Sequence, residues 1–171
     1  KRNGKLENDA RVEFEVLSSS GGQISDISIS GSGAMYLSQR GQTAAPYDDG
    51  QMATPKTSNV LRYRRRKLPS GRVRRVPSPD EYFIGFSAGF KNSNGGHALG
   101  YGYDGVGDIR LDRCSQTLWA TGELLRQNPS FAGQLKPGGP AVVHGLQGTR
   151  TSNTSSKQSA PLNTMFIDYD N

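Results

Sequence analysis

The sequence predicts a mainly β domain, α+β with little helix: an irregular antiparallel sheet core, a protruding basic β-hairpin and long loops. Three observations predict it. Residues 11–17 alternate strictly, with Val12, Phe14 and Val16 on one face, the pattern of a half-buried strand. Hydrophobic residues make up only 33% of the 171-residue chain, while glycine (22) and proline (9) are frequent, so turns and loops surround a modest core. Residues 60–76 carry 8 of the 21 Lys and Arg around a central Pro69-Ser70-Gly71 turn signal.

The elements follow in order. The polar stretch 1–9 precedes the strand at 11–17, and the Ser/Gly cluster 18–22 is a turn. Ile27-Ser28-Ile29 alternates, which predicts a second strand and an N-terminal β-hairpin or extension over residues 1–33. Residues 34–37 are a short apolar piece, and 38–58 are polar and aperiodic, a long loop. Residues 81–90 are the most apolar stretch, and Tyr82, Phe83, Phe86 and Phe90 mark it as the central strand. Residues 91–107 are glycine-rich without a regular pattern, Asp104-Gly105 signals a turn, and 109–111 is a short strand candidate. Leu118, Trp119, Gly122 and Leu125 share one side of a predicted helix over 115–126, which Asn128-Pro129 stops. Residues 141–144 are a short strand, 145–164 are rich in Ser, Thr and Asn, and Met165-Phe166-Ile167 is a last apolar piece. The organisation that results is an extension at 1–33, a core at 34–150 with a basic finger at 60–76, and a Ser/Thr-rich segment at 151–171.

The finger sets the functional reading. If Leu68 faces Arg72 across a three-residue loop, then Lys67 faces Val73, Arg66 faces Arg74 and Arg65 faces Arg75. Side chains alternate along a strand, so both faces are cationic near the tip and neither is a core. Like charges directly opposite each other are destabilising. Such a ribbon makes sense against a polyanion, and a basic hairpin beside an aromatic is the footprint of nucleic-acid binding. The candidates are Arg62, Tyr63, Arg64, Arg65, Arg66, Lys67, Arg72, Arg74, Arg75 and Tyr82. Tyr82 lies opposite Phe83 on its strand and is placed to stack on a base. The net charge of +6 favours anionic partners without specifying a fold.

The remaining composition narrows the class. One cysteine, Cys114, excludes an internal disulfide framework, and two histidines 47 positions apart with one thiol lack zinc-ligand spacing. No apolar run approaches the ~20 residues of a membrane helix, and the first residues read as carrying no signal peptide. Neither a cofactor nor a metal is expected.

The order of motifs around the finger resembles the N-terminal RNA-binding domain of coronavirus and nidovirus nucleocapsid proteins. Tyr63-Arg64-Arg65 leads into the basic tip, Pro77 and Pro79 follow, and Tyr82-Phe83 begins the aromatic strand that ends near Gly89. Tyr36-Leu37-Ser38-Gln39-Arg40-Gly41 upstream, and Tyr101-Gly102-Tyr103-Asp104-Gly105 and Gly148-Thr149-Arg150 downstream, are similar to family motifs in type. The likeness covers about 34–105. Glu81 stands where the family has Trp, and Ile84 and Gly85 replace two tyrosines. The resemblance implies a non-catalytic domain that packages genomic single-stranded RNA with little sequence preference, in the virion or the host cytoplasm. It also implies that Arg64 and Arg65 are finger-base arginines and that Tyr82 lies on the RNA-facing strand.

Two other classes fit the same residues. A viral or phage structural subunit would set the hairpin against an acidic protein partner, or against another copy of the chain. A small secreted hydrolase or ribonuclease would use Cys114 at a helix N-terminus with His97 or His144, oriented by Asp104, Asp108 or Asp112, or would use the two histidines as acid and base.

Overall fold

A computed structural model describes residues 16, 23–40, 58–76, 78–85, 90–91, 93–122, 145–154 and 164–168. The fold is mainly β, built from several small antiparallel sheets that do not close into a barrel, and the described residues include no helix. The strands expected at 11–17 and 141–144, most of the loop expected at 38–58, Phe86 and His144 lie outside the described residues, Val16 excepted.

The first sheet has the order β1-β2-β3-β6, from β1 (Gln23–Ile29), β2 (Met35–Arg40), β3 (Val60–Tyr63) and β6 (Asp80–Tyr82). β1 pairs with β2 in the register Ile27↔Leu37 and Ile29↔Met35. A boundary at residue 33 therefore falls inside a hairpin, and β1 belongs to the core sheet. The second sheet has the order β12-β11-β10-β7, from β7 (Ser93–Gly100), β10 (Thr117–Gly122), β11 (Gly145–Arg150) and β12 (Met165–Asp168). Two short hairpins stand apart: β4 (Arg65–Lys67) with β5 (Val73–Arg75), and β8 (Gly102–Tyr103) with β9 (Ile109–Arg110).

The sheets face each other across one core. Tyr36, Val60 and Tyr82 from the first meet Leu118 and Ala120 from the second, with Ile84 buried beside them and Leu99 against the cluster. The other face of the first sheet buries Leu37, Leu61 and Tyr63 beneath Met35 and Val16. Two-sided burial explains why β3 does not alternate polar with apolar. The space between the sheets also holds polar side chains that are hydrogen-bonded, as burial requires. Gln147, fully buried, donates from Nε2 to the Phe83 carbonyl (2.8 Å), while its Oε1 accepts from the Gly85 amide (2.9 Å). A side-chain amide thereby continues the ladder beyond β6.

Three expectations change. Residues 115–126 do not start a helix: β10 is a strand hydrogen-bonded on both sides, to β7 and β11. Its buried residues Thr117, Leu118, Ala120 and Gly122 flank half-buried Trp119 and Thr121. Pairing on both edges overrides the helical spacing, and β-branched and aromatic Thr117, Trp119 and Thr121 suit a pleated surface. The described part of 81–90, residues 81–85 and 90, is not a central strand: β6 is three residues long and lies at a sheet edge, followed by a lone parallel bridge between Ile84 and Lys91. Gly85 and Phe90, both with positive φ (72° and 62°), bend the chain there. The glycine-rich stretch after Lys91 holds an eight-residue strand, β7.

Candidate nucleic-acid interface

The ribbon β4–β5 has the register expected from its loop. Arg65 faces Arg75, Arg66 faces Arg74 and Lys67 faces Val73. The Leu68 amide donates to the Arg72 carbonyl (2.7 Å), and the Gly71 amide donates to the Leu68 carbonyl (2.9 Å). Gly71 takes φ 78°, the left-handed geometry that a three-residue hairpin loop demands of its glycine. The Val76 amide reaches the Arg64 carbonyl (2.8 Å) and extends the ladder to the ribbon's foot. Arg65, Arg66, Lys67, Arg72 and Arg74 are exposed and form no ion pair with any described residue.

At the foot the same residue types behave differently. Arg62 is largely buried and donates from Nε to Asp80 Oδ2 (3.0 Å) and from Nη1 to the Thr151 carbonyl. Arg64 forks onto the same carboxylate, Nε to Oδ2 at 2.7 Å and Nη2 to Oδ1 at 2.9 Å, although its side chain is 61% exposed. Burial disfavours the charged form of Asp80, but the hydrogen bonds from Arg64 and Arg62 outweigh it and hold the carboxyl below its ordinary range. Arg75 is half-buried and donates to the Gly33 carbonyl (2.8 Å), which anchors the ribbon on the β1–β2 turn.

Both predicted aromatics lie in the interior. Tyr63 is 1% exposed and belongs to the second apolar cluster. Tyr82 is 2% exposed, stacks on Tyr36 (centroids 6.1 Å apart, planes at 26°) and donates its hydroxyl to the Thr151 carbonyl (2.6 Å). Burial pushes that hydroxyl's pKa far above its ordinary value. Tyr82 therefore presents no face to a nucleobase. It is a core residue, and Phe83, expected in the core, is the half-buried one. The reversal follows from the short β6: Tyr82 lies across from Val60, on the face that meets the second sheet.

Beside the foot lies a cleft of about 980 Å³. Arg62, Arg64 and Arg65 line it together with Ser32 of the β1–β2 turn, Asp112, Gln116 and Ser152. Tyr36 and Ala34 close its base. Sequence patterning missed this cleft because its walls come from segments far apart in the chain.

Among the described residues, which exclude His144, no hydrogen bond joins Cys114 to His97 as the hydrolase reading expects. Cys114 is exposed, in a turn before a strand and not at a helix N-terminus. His97 on β7 is buried between the sheets, Nε2 with Ser28 Oγ (2.7 Å) and Nδ1 with Ser38 Oγ (2.8 Å). Asp26 approaches Nδ1 at 3.3 Å and accepts the His97 amide (3.0 Å). Burial lowers the His97 pKa and Asp26 opposes the shift only in part, so the ring is neutral at neutral pH. No three His, Cys, Asp or Glu side chains among the described residues converge as a metal site.

Fold and site together define a mainly β domain that holds a cationic ribbon away from its core. Compared with known proteins, the chain matches no family model, no curated protein and no solved structure.

Proposed function

We propose that this chain is a non-catalytic RNA-binding domain of nucleocapsid type, which holds single-stranded RNA through the phosphate backbone. One observation carries the reading: five cations of one ribbon, Arg65, Arg66, Lys67, Arg72 and Arg74, are exposed and without a carboxylate partner among the described residues. Pairing Arg66 with Arg74 and Arg65 with Arg75 sets like charges opposite each other, and phosphates relieve that repulsion. Arginine forks suit phosphate oxygens, and such contacts confer affinity without reading sequence. The cleft at the ribbon's foot, lined by Arg62, Arg64 and Arg65 together with Ser32, Gln116, Ser152 and one carboxylate, Asp112, gives the strand a path off the ribbon. Packaging of genomic RNA, in the virion or host cytoplasm, is the role this chemistry and the motif resemblance support.

The test is binding to labelled single-stranded RNA, followed by anisotropy at several salt concentrations. We expect log affinity to fall linearly with log salt, with a slope near 0.7 per phosphate contact. Absence of binding at low salt overturns the proposal and leaves an acidic protein surface as the ribbon's partner.

A further inference from the structure

Trp119 is the single tryptophan of the chain. It sits in the middle of β10 between buried Leu118 and Ala120. Side chains alternate, so the indole lies on the outer face of the second sheet, away from the core. Its cross-strand partners are Gly148 on β11 and Ala98 on β7. A Cβ on Gly148 would stand 2.5 Å from indole Cζ3 and 2.7 Å from Cη2, and one on Gly100 would stand 2.9 Å from Nε1. The ring thus lies down over two strands, on backbone that only glycine leaves bare. Tyr103 meets it edge-on (6.4 Å, 86°). Leu146, Met165 and Ile167 on the same face are exposed, and Trp119 itself is half-buried. A hydrophobic anchor would point inward; this ring is laid flat where it covers glycine and faces outward.

Cations stand at one end of this face. Arg150 lies opposite Thr117, on the same side of the sheet as Trp119, and both Arg150 and Arg113 are exposed with no ion pair among the described residues. Of the nearby carboxylates, Asp112 pairs with Arg110 (3.0 Å), and Asp104, which shares a hollow with Arg113 and Arg150, accepts the amides of Val106 (3.0 Å) and Asp108 (2.9 Å) at Oδ1. Arg113 and Arg150 line a hollow of about 570 Å³ next to Tyr103 and Gly148. Gln116, Thr151 and Ser152 border that hollow and also the cleft at the ribbon's foot, so the two concavities share a wall.

We infer that the outer face of the second sheet is a base-stacking platform for unpaired nucleic acid. A strand held at the ribbon crosses the ridge of Gln116, Thr151 and Ser152, gives phosphates to Arg113 and Arg150, and lays a base on Trp119. Every base has a π-face, so the platform is tolerant of sequence. A duplex hides those faces in its stack, so the platform selects single strands. The inference rests on the RNA-binding reading of the ribbon, and its test separates the two.

Because the chain has one tryptophan, its tryptophan fluorescence, excited at wavelengths the seven tyrosines do not absorb, reports this site alone. The wild-type protein is titrated with a mixed-sequence RNA of about 15 nucleotides, near the upper end of single-strand site sizes, and with a duplex of equal length. Anisotropy of the labelled RNA is read in the same cuvette. We expect quenching that tracks anisotropy for the single strand and is absent for the duplex. Trp119→Leu is expected to weaken single-strand binding about tenfold and leave duplex binding unchanged. Binding without quenching overturns the platform and leaves the ribbon reading standing. Equal quenching by both RNAs overturns the stacking role. Neither signal at low salt overturns both proposals.

Discussion

The foot and the tip of one hairpin are built from the same residue types and do opposite things. At the foot, Arg62 and Tyr82 are closed in by the second sheet and converge on the Thr151 carbonyl, while Asp80 is shared as the ion-pair partner of Arg62 and Arg64. At the tip, Arg65, Arg66, Lys67, Arg72 and Arg74 stand in solvent with no described carboxylate. Residue type does not decide whether an arginine serves the fold or a ligand. The deciding facts are whether an opposing sheet removes its water and whether a neighbouring strand of its own sheet brings a carboxylate, as β6 brings Asp80 to Arg62.

The largest effect that separates the two regions is expected at Tyr82. Tyr82→Ala should cost about 3–5 kcal/mol, as for other buried aromatic truncations, and Tyr82→Phe about 1 kcal/mol for the lost hydrogen bond, both read by urea unfolding. A Tyr82→Phe protein of unchanged stability but weakened RNA binding would move Tyr82 from the core to the interface.

Next comes the tip. Changing Arg66, Arg72 and Arg74 together to Glu should lower RNA affinity by about two orders of magnitude and reduce the salt slope. Unfolding free energy should stay within about 0.5 kcal/mol of wild type, because exposed substitutions rarely do more. A variant that unfolds instead would make the tip a structural element.

Asp80→Asn probes the junction. It strips Arg62 of its charge partner, at an expected cost of about 1–3 kcal/mol, and it releases Arg64, so RNA should bind a few-fold more tightly in the same titration. Weaker binding by the folded variant would mean that Asp80 holds Arg64 in the RNA-competent position. The pH dependence has a definite sign. The folded pKa of Asp80 is depressed, so its contribution is present above the ordinary carboxylate value and is lost as pH falls through the folded one.

The smallest effect belongs to His97 and occupies a separate window. Its folded pKa is lowered from 6.5, so the unfolded chain takes the proton first and stability declines as pH drops below that value. Unfolding curves at pH 7.5, 6 and 5 should show the decline, and His97→Gln should flatten it. A decline that survives the substitution would place the responsible group elsewhere.

Much of the hairpin was legible because its information is local. Gly71, the three-residue loop and the period of two set the register of Arg65 to Arg75 without help from the rest of the chain. The mainly β class was legible from composition, and the Asp104-Gly105 turn from its residues, although the strand β8 before it was not expected. The strand β7 was not legible, because Gly95 and Gly96 interrupt any pattern. Gly95 is there for close approach: a Cβ on it would stand 2.3 Å from Ser25 Oγ. The strand β10 read as a helix because its spacing satisfied both periods, and only pairing on two edges chose between them.

The sequence by itself determined the charge, the turn chemistry and the ribbon that presents them, since these depend on neighbours a few residues apart. Tertiary structure alone decided which tyrosines are core, that Asp80 claims two arginines, and that Trp119 faces out. Each of those depends on residues far apart in the chain: β6 must pair with β3 before Asp80 reaches the arginines, and the two sheets must close before Tyr82 is buried and Trp119 is left outside.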